Sequence, residues 1–238
     1  MRLQAFLARA GAAPSRRKAE ALIFAGRVSV NGETATLGAA VSPEEDTVLL
    51  DGCRITLPKS LAYFALNKPA GYLTTLADEP GRNRLTITDL MPPAPGLIPV
   101  GRLDAATTGL LLLTNDGPLA HRIAHPSSQI EKEYEVTVKN LAPRKALATL
   151  SAGPTLEDGK MFPPNLTHLR RSPRATTFHL VIHEGRNRII RRACAAVGLT
   201  LISLKRLRVG SVTIGDLPEG CTRKLTAEEV RILKSHAG

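Results

Sequence analysis

Residues 101–117 read Gly-Arg-Leu-Asp-Ala-Ala-Thr-Thr-Gly-Leu-Leu-Leu-Leu-Thr-Asn-Asp-Gly. An apolar run ending at Val100 leads in and Leu110–Leu113 leads out, each with the length and flanking turn residues of a buried strand. The polar loop between them holds Arg102 and Asp104. A carboxylate fixed between two rigid elements, beside a guanidinium, is suited to act as a nucleophile or charge stabiliser. Taken alone, the same pair also reads as a turn tied by a weak local ion pair. A second concentration lies at Glu184-Gly185-Arg186-Asn187-Arg188-Ile189-Ile190-Arg191-Arg192, where four arginines crowd seven positions. Tyr134 stands in the alternating stretch Glu131–Val138. With three Tyr, five Phe and no Trp in the chain, few stacking platforms exist and a polar-tipped ring on a charged strand stands out, though it also reads as an ordinary half-buried strand tyrosine.

The charge favours a polyanionic partner. Of 238 residues, 32 are Lys or Arg and 21 are Asp or Glu, a net of +11. Residues 160–210 carry eleven basic residues against the single acid Glu184, the concentration expected of a phosphate-binding surface rather than of a solubility charge. No run approaches the roughly 20 apolar residues of a membrane span, and Met1-Arg2-Leu3-Gln4 does not open a signal peptide. Cys53, Cys194 and Cys221 are odd in number and far apart, which fits neither a disulfide framework nor a zinc pattern. The expectation is a soluble cytoplasmic protein without a metal, with nothing in the sequence demanding more than a monomer.

Several elements must position these residues. Leu3, Phe6, Leu7 and Ala10 have helical spacing, ended by Gly11. Ser15 is placed to cap a second helix that stops at Gly26, and its first turn, Arg16-Arg17-Lys18, has the wrong sign for the helix dipole unless a phosphate sits there. Val28–Val30, the turn Asn31-Gly32 and Val48–Leu50 read as hairpin strands. Pro58-Lys59-Ser60 reads as a linker. Beyond it come strands over Tyr63–Leu66, Glu131–Val138, Phe178–Ile182 and Leu201–Val209, and a loop over 78–84. Helices are expected from Pro118 to about Ala124, over Leu141–Leu150, and from Glu184 to about Val197, where Gly198 stops the last. Strands outnumber helices without βαβ spacing, so the expected class is α+β, mixed and mainly antiparallel. Two domains are expected, 1–58 and 62–238.

Gly101-Arg102-Leu103-Asp104 resembles the catalytic motif of the RsuA/RluA superfamily of pseudouridine synthases, in which the aspartate is the catalytic residue. Asn67-Lys68-Pro69-Ala70-Gly71 resembles that superfamily's Asn-Lys-Pro-x-Gly element, and Lys132-x-Tyr134 its Lys-x-Tyr element, which sets a tyrosine against the target base. In the later Gly-Arg-x-x-x-x-Arg segment a basic residue pairs with the aspartate; by position this is Arg191, leaving Arg186 and Arg188 for RNA phosphates. The first two helices and Gly26-Arg27-Val28-Ser29-Val30-Asn31-Gly32 resemble the S-four RNA-binding module. The resemblance thus implies Asp104, Tyr134 and Arg191 as catalytic residues. It implies RNA contacts by Arg16, Arg17, Lys18, Arg27, Arg102, Lys132, Arg186, Arg188, Lys205 and Arg206.

The order of elements is that of the RsuA-type branch, which modifies ribosomal RNA. Glu184–Arg188, with Ser15-Arg16-Arg17-Lys18-Ala19-Glu20, resembles RluB-like members acting on large-subunit RNA. The implied reaction is isomerisation of uridine to pseudouridine with neither metal nor cofactor, on ribosomal RNA or an assembly intermediate. The base would leave its stack to react, and whether Asp104 meets the sugar or the base stays open. One departure is Arg192-Ala193-Cys194, where members have Arg-Met-Phe or Arg-Leu-Phe. A non-catalytic RNA-binding factor is the alternative that the intact central motif argues against, and a DNA-binding regulator lacks a recognition-helix pattern.

Overall fold

The structure is a computed structural model that describes residues 1–79 and 81–236. The expected loop over 78–84 and the expected domain end at 238 include residues 80, 237 and 238, which lie outside the described residues. In chain order the N-terminal part contains α1 (Leu3–Arg9), α2 (Arg16–Phe24), β1 (Val28–Val30), β2 (Glu33–Thr34), β3 (Val48–Leu50) and β4 (Cys53–Ile55). Its strands form a small antiparallel sheet in the order β2-β1-β3-β4. Leu3, Phe6 and Leu7 of α1 and Ala19 and Ile23 of α2 close its core against Val28 and Val48. The helical spacing of these apolar residues is what lets so short a pair of helices bury one face.

The remainder begins with β5 (Tyr63–Lys68), a 3-10 turn (Ile87–Leu90), β6 (Ile98–Pro99), β7 (Thr108–Thr114), α3 (Gly117–Ala124), β8 (Lys132–Lys139) and α4 (Arg144–Ser151). It continues with β9 (Thr155–Leu156), β10 (Gly159–Lys160), β11 (Asn165–Arg171), β12 (Ala175–Ile182) and α5 (Ile189–Ala196). The chain then closes with β13 (Leu201–Val209), β14 (Val212–Thr213), β15 (Thr222–Lys224) and α6 (Ala227–His236). The large sheet runs β11-β12-β8-β13-β7-β5-β15, with β14 on β13 and β6 on β7. The fold is α+β, a small antiparallel sheet followed by a mixed, mainly antiparallel one. Among the described residues no helix is long and apolar enough to cross a membrane.

Three expectations are corrected here. The last basic segment does not open a helix at Glu184: α5 starts at Ile189, and Arg188 has a left-handed φ of 49°. Residues 184–188 form a loop because the Glu184 carboxylate is bonded sideways to Phe162 and Arg186. The helix expected from Leu141 starts at Arg144 because Pro143 occupies the position before it and has an extended backbone. The strand β12 begins at Ala175 rather than Phe178, since Ala175–Thr177 pair with β8 residues Lys139–Thr137.

The large sheet is held from two sides. Leu111 and Leu113 of β7 face one core with Val136, Phe178, Leu180, Ile189, Ile190 and Ala193. Leu110 and Leu112 face the other with Leu119, Ile123 and Leu233. Burial on both faces explains the unbroken apolar run of β7, which shows no alternation.

Among the described strand pairs only β13–β7 is parallel, through Lys205–Thr108 and Arg206–Gly109. The two backbones nearly touch there: a Cβ on Gly109 would lie 2.3 Å from Arg206 O, and Gly109 has a φ of +99°. The parallel pairing is short, so the sheet opens on one side of it. The loop before β7 lies at that opening and is held from below by a buried ammonium. Lys68, the last residue of β5, is fully buried. Its Nζ donates to Pro69 O at 2.8 Å, Ala105 O at 3.2 Å and Thr107 O at 3.0 Å.

Gly109→Ala combines a backbone collision with a strained φ and is expected to destabilise the fold by about 2–4 kcal/mol in urea unfolding; a loss well below that range would mean the strands can separate. A second prediction concerns Lys68, whose ammonium is pushed from 10.5 down to about 8 by burial, against the pull of the Asp104 and Glu219 carboxylates. The unfolded chain then binds the extra proton between those values, so stability rises with pH across the window and the full burial cost is felt below it. The stability of wild type relative to Lys68→Met is expected to rise by up to about 3 kcal/mol over that window, and a flat difference would show that the ammonium is not desolvated.

Candidate active site

The loop of residues 101–107 is clamped from several directions. Besides Lys68 below, Thr74 Oγ1 donates to Leu103 O at 2.7 Å and accepts from Leu103 N at 3.2 Å. Thr107 N donates to Asp104 O at 3.0 Å, which makes the loop a closed turn. Arg191, on the first turns of α5, reaches across: Nη2 donates to Ala106 O and to Thr107 Oγ1, each at 3.1 Å.

The cation beside Asp104 is Arg191, not the neighbouring Arg102. Arg191 Nε lies 3.5 Å from Asp104 Oδ2, with the two side chains 19% and 30% exposed. That separation is an ion pair without a hydrogen bond, and the buried Nε has no hydrogen-bond partner among the described residues. The carboxylate is therefore balanced in charge while its oxygens stay open to a third group. The arrangement suits attack on, or stabilisation of, an electron-poor centre.

Asp104 and Arg191 border a cavity of about 140 Å³ at the sheet opening, also lined by Tyr134, Lys132, Arg206, Arg102, Glu184, Arg186 and Arg188. Tyr134 is placed by β8, where Lys132, Tyr134, Val136 and Val138 alternate onto one face. Arg206 is opposite Tyr134 on β13; it is 3% exposed and its Nε donates to Leu110 O at 2.7 Å. Its Nη2 is buried without a hydrogen-bond partner among the described residues. Lys132 Nζ donates to Ile130 O at 3.0 Å, and burial pushes its ammonium down to about 8, with Arg206 adding to the effect. The walls thus carry six cationic side chains against the carboxylates of Asp104 and Glu184, which suits an anionic ligand.

Not every basic residue expected to meet RNA is in this cavity. Lys205 alternates to the other face of β13, opposite Glu135. Arg186 lines the cavity but is committed to protein partners: Nε donates to Glu184 Oε2 at 2.7 Å and Nη1 to Asp158 Oδ1 at 2.8 Å. Arg27 lies in the N-terminal part, where its Nε donates to Asp51 Oδ1 at 2.9 Å. Arg16, Arg17 and Lys18 are exposed on the first turn of α2, capped by Ser15 Oγ, which accepts from Lys18 N at 3.2 Å. They form a second basic surface on the N-terminal part.

Some functional residues escaped the sequence reading. Lys68 was legible only as part of a resemblance, with no role of its own. Thr107 and Glu184 stood inside the quoted motifs without a role and Thr74 gave no signal, because polar residues acquire these roles only from long-range neighbours. Cys194, the departure from the usual aromatic, is fully buried, and burial pushes its thiol up to about 12 against the opposing influence of Arg191. It packs in the core as a small apolar group. On the face of β8 away from the cavity, His179 Nδ1 lies 2.8 Å from Glu133 Oε1, and Arg208 Nε donates to Glu133 Oε2 at 3.0 Å. His168 gathers beside them, so polar pairs tie the strands on that face.

Comparison with known proteins agrees with this geometry. Residues 62–196 match the RNA pseudouridylate synthase family and residues 1–48 match the S4 domain. An uncharacterized RNA pseudouridine synthase of Mycobacterium leprae is 43% identical over 243 residues, covering 100% of this chain and 94% of that relative. The ribosomal large subunit pseudouridine synthase B of Bacillus subtilis is 41% identical over 240 residues, covering 99% of this chain and 96% of the relative. A crystal structure of a pseudouridylate synthase superposes with a TM-score of 0.68 at 31% identity, covering 98% of this chain and 99% of that one. The chain therefore belongs to the RNA pseudouridylate synthase family, as an isomerase preceded by an S4 domain.

Proposed function

We propose that this enzyme isomerises a uridine of large-subunit ribosomal RNA. In this reading Asp104 is the catalytic carboxylate, Arg191 its ion-pair partner, and Tyr134 the ring against which the target base rests. The observation that carries the assignment is the meeting of Asp104, Arg191 and Tyr134, from three separated stretches of chain, in one cationic cavity. The choice of RNA is supported by the relative of Bacillus subtilis named for the ribosomal large subunit.

The cavity is too small to admit duplex, so the uridine must be turned out of its stack. The bond between C1′ of the ribose and N1 of the base then breaks, the base turns, and a C5–C1′ bond replaces it. C5 releases its hydrogen as a proton and N1 takes one up, so the change is redox-neutral. The Asp104 oxygens, held open beside Arg191, stabilise the electron-poor species formed when N1 departs. Arg102 and Arg188 at the cavity wall, and Arg16, Arg17 and Lys18 on the S4 domain, meet phosphates. Lys132 and Arg206 add positive potential inside the cavity, whereas Arg186 and Arg27 are held by carboxylates and Lys205 lies on the other face of β13.

Tritium release from large-subunit ribosomal RNA labelled at uridine C5 tests the assignment. Wild type is expected to release tritium, and Asp104→Asn to release none while keeping its fold and RNA affinity; near-wild-type release by the variant would exclude Asp104 from the chemistry. The S4 surface makes a separate prediction. Replacing Arg16, Arg17 and Lys18 by Gln is expected to lower the slope of log affinity against log salt by about 2 to 3. An unchanged slope would mean that this helix end does not touch phosphate.

A further inference from the structure

Phe162 is 70% exposed in a chain with only five Phe and three Tyr. Exposure alone means little, since single apolar side chains are common on surfaces. What sets Phe162 apart is where and how firmly it is held. The preceding Met161 is buried in the main core, and its N donates to Pro154 O at 3.0 Å. The N–H of Phe162 itself donates to Glu184 Oε1 at 2.9 Å.

Glu184 is a nearly buried wall of the catalytic cavity. Its other oxygen accepts from Arg186 Nε, and the same guanidinium binds Asp158 Oδ1, Gly159 O and Lys160 O. The hairpin of β9 and β10, and Phe162 two residues after it, are thereby fastened to the 184–188 loop. Pro163 and Pro164 come next; they fix the backbone and restrict Phe162 to an extended conformation. An aromatic ring is thus presented to solvent from a rigid support, its backbone one hydrogen bond from Glu184 of the cavity wall and two residues beyond the exposed Lys160.

We infer that Phe162 is a stacking platform for a base of the substrate RNA adjoining the uridine that enters the cavity. The inference rests on the reading of the cavity as the uridine site. Turning a nucleotide out of its stack leaves its neighbours with bare faces, and an aromatic ring at the rim supplies a substitute surface. A pre-positioned ring loses little freedom in doing so, and the exposed Lys160 two residues before it suits an adjoining phosphate. The role is one of binding and positioning, since the ring touches no reacting atom.

The absence of tryptophan from the chain provides a direct test. In the Phe162→Trp variant the new indole is the sole tryptophan, and its emission reports on this position alone. On titration with in vitro transcribed large-subunit ribosomal RNA, that emission is expected to be quenched and to become protected from acrylamide. Phe162→Ala is expected to raise KM for the same RNA about tenfold, with kcat within twofold, and Phe162→Tyr to restore it. Because the ring is exposed, the thermal midpoint should not move. Unchanged emission at RNA concentrations that saturate a filter-binding assay, or an unchanged KM in Phe162→Ala, would overturn the inference. Tritium release is read on the same wild-type protein: its absence, with RNA bound and emission quenched, would sink the assignment of a large-subunit uridine as the target while leaving the stacking contact established. Failure of the transcript to bind at all would overturn both.

Discussion

The ammonium of Lys68, buried beneath the 101–107 loop, is the contact on which the arrangement above it depends. A charge removed from water is costly unless its donors are satisfied, and here three backbone carbonyls receive them. Two of those carbonyls, Ala105 O and Thr107 O, belong to the residues that follow Asp104. Satisfying the cation and immobilising the 101–107 loop are therefore one and the same condition. Thr74 from one side and Arg191 from another complete the clamp, so that Asp104 is carried on a segment with little freedom to move.

The cavity exists because the sheet changes character beside that loop. Antiparallel strands lie on both sides, and the short parallel contact between β7 and β13 joins them. Gly109 permits the close approach of its backbone to Arg206, and the Arg206 side chain lines the cavity there with Tyr134 and the start of α5. Arg191 satisfies its hydrogen-bonding capacity mainly on the loop backbone and on Thr107, and reaches Asp104 only as a neighbouring charge. The carboxylate is balanced without being occupied, an arrangement in which polar groups are oriented before substrate arrives.

Much of the basic charge of residues 160–210 is spent on holding the protein together. Arg186 and Arg192 share Asp158, and Arg208 joins Glu131 and Glu133. Each of these pairs removes a cation from those free to meet phosphate, and exposed pairs of this kind contribute little to stability individually. Arg102 and Arg188 at the cavity wall and Arg16, Arg17 and Lys18 on the first turn of α2 are among the cations outside these pairs. Two basic regions separated in sequence are an arrangement that suits a folded RNA, with phosphates for one and an unstacked base for the other.

Local chemistry was legible wherever a residue's role depends on its neighbours in sequence. Ser15 caps α2 as its type and position require, and the alternation from Lys132 to Val138 became a strand with Tyr134 turned inward. Thr226 and Glu229 cap each other at the start of α6; this signal stood in the sequence unread. The strand β11 offered none, since its edge position leaves nearly every side chain exposed or half-exposed and erases the alternation. Residue types and spacing were enough for the class of fold, for Asp104 as a loop carboxylate, and for a basic surplus suited to a polyanion. The resemblance had pointed to Arg191 as the partner of Asp104 where local sequence offered Arg102, and the structure sets Arg191 Nε 3.5 Å from that carboxylate; that Lys68 holds the loop, and that Arg206 faces the cavity while Lys205 does not, was settled by tertiary contacts. Those choices turn on strand register and on contacts between residues far apart in the chain, and such long-range distances leave no mark on local residue pattern.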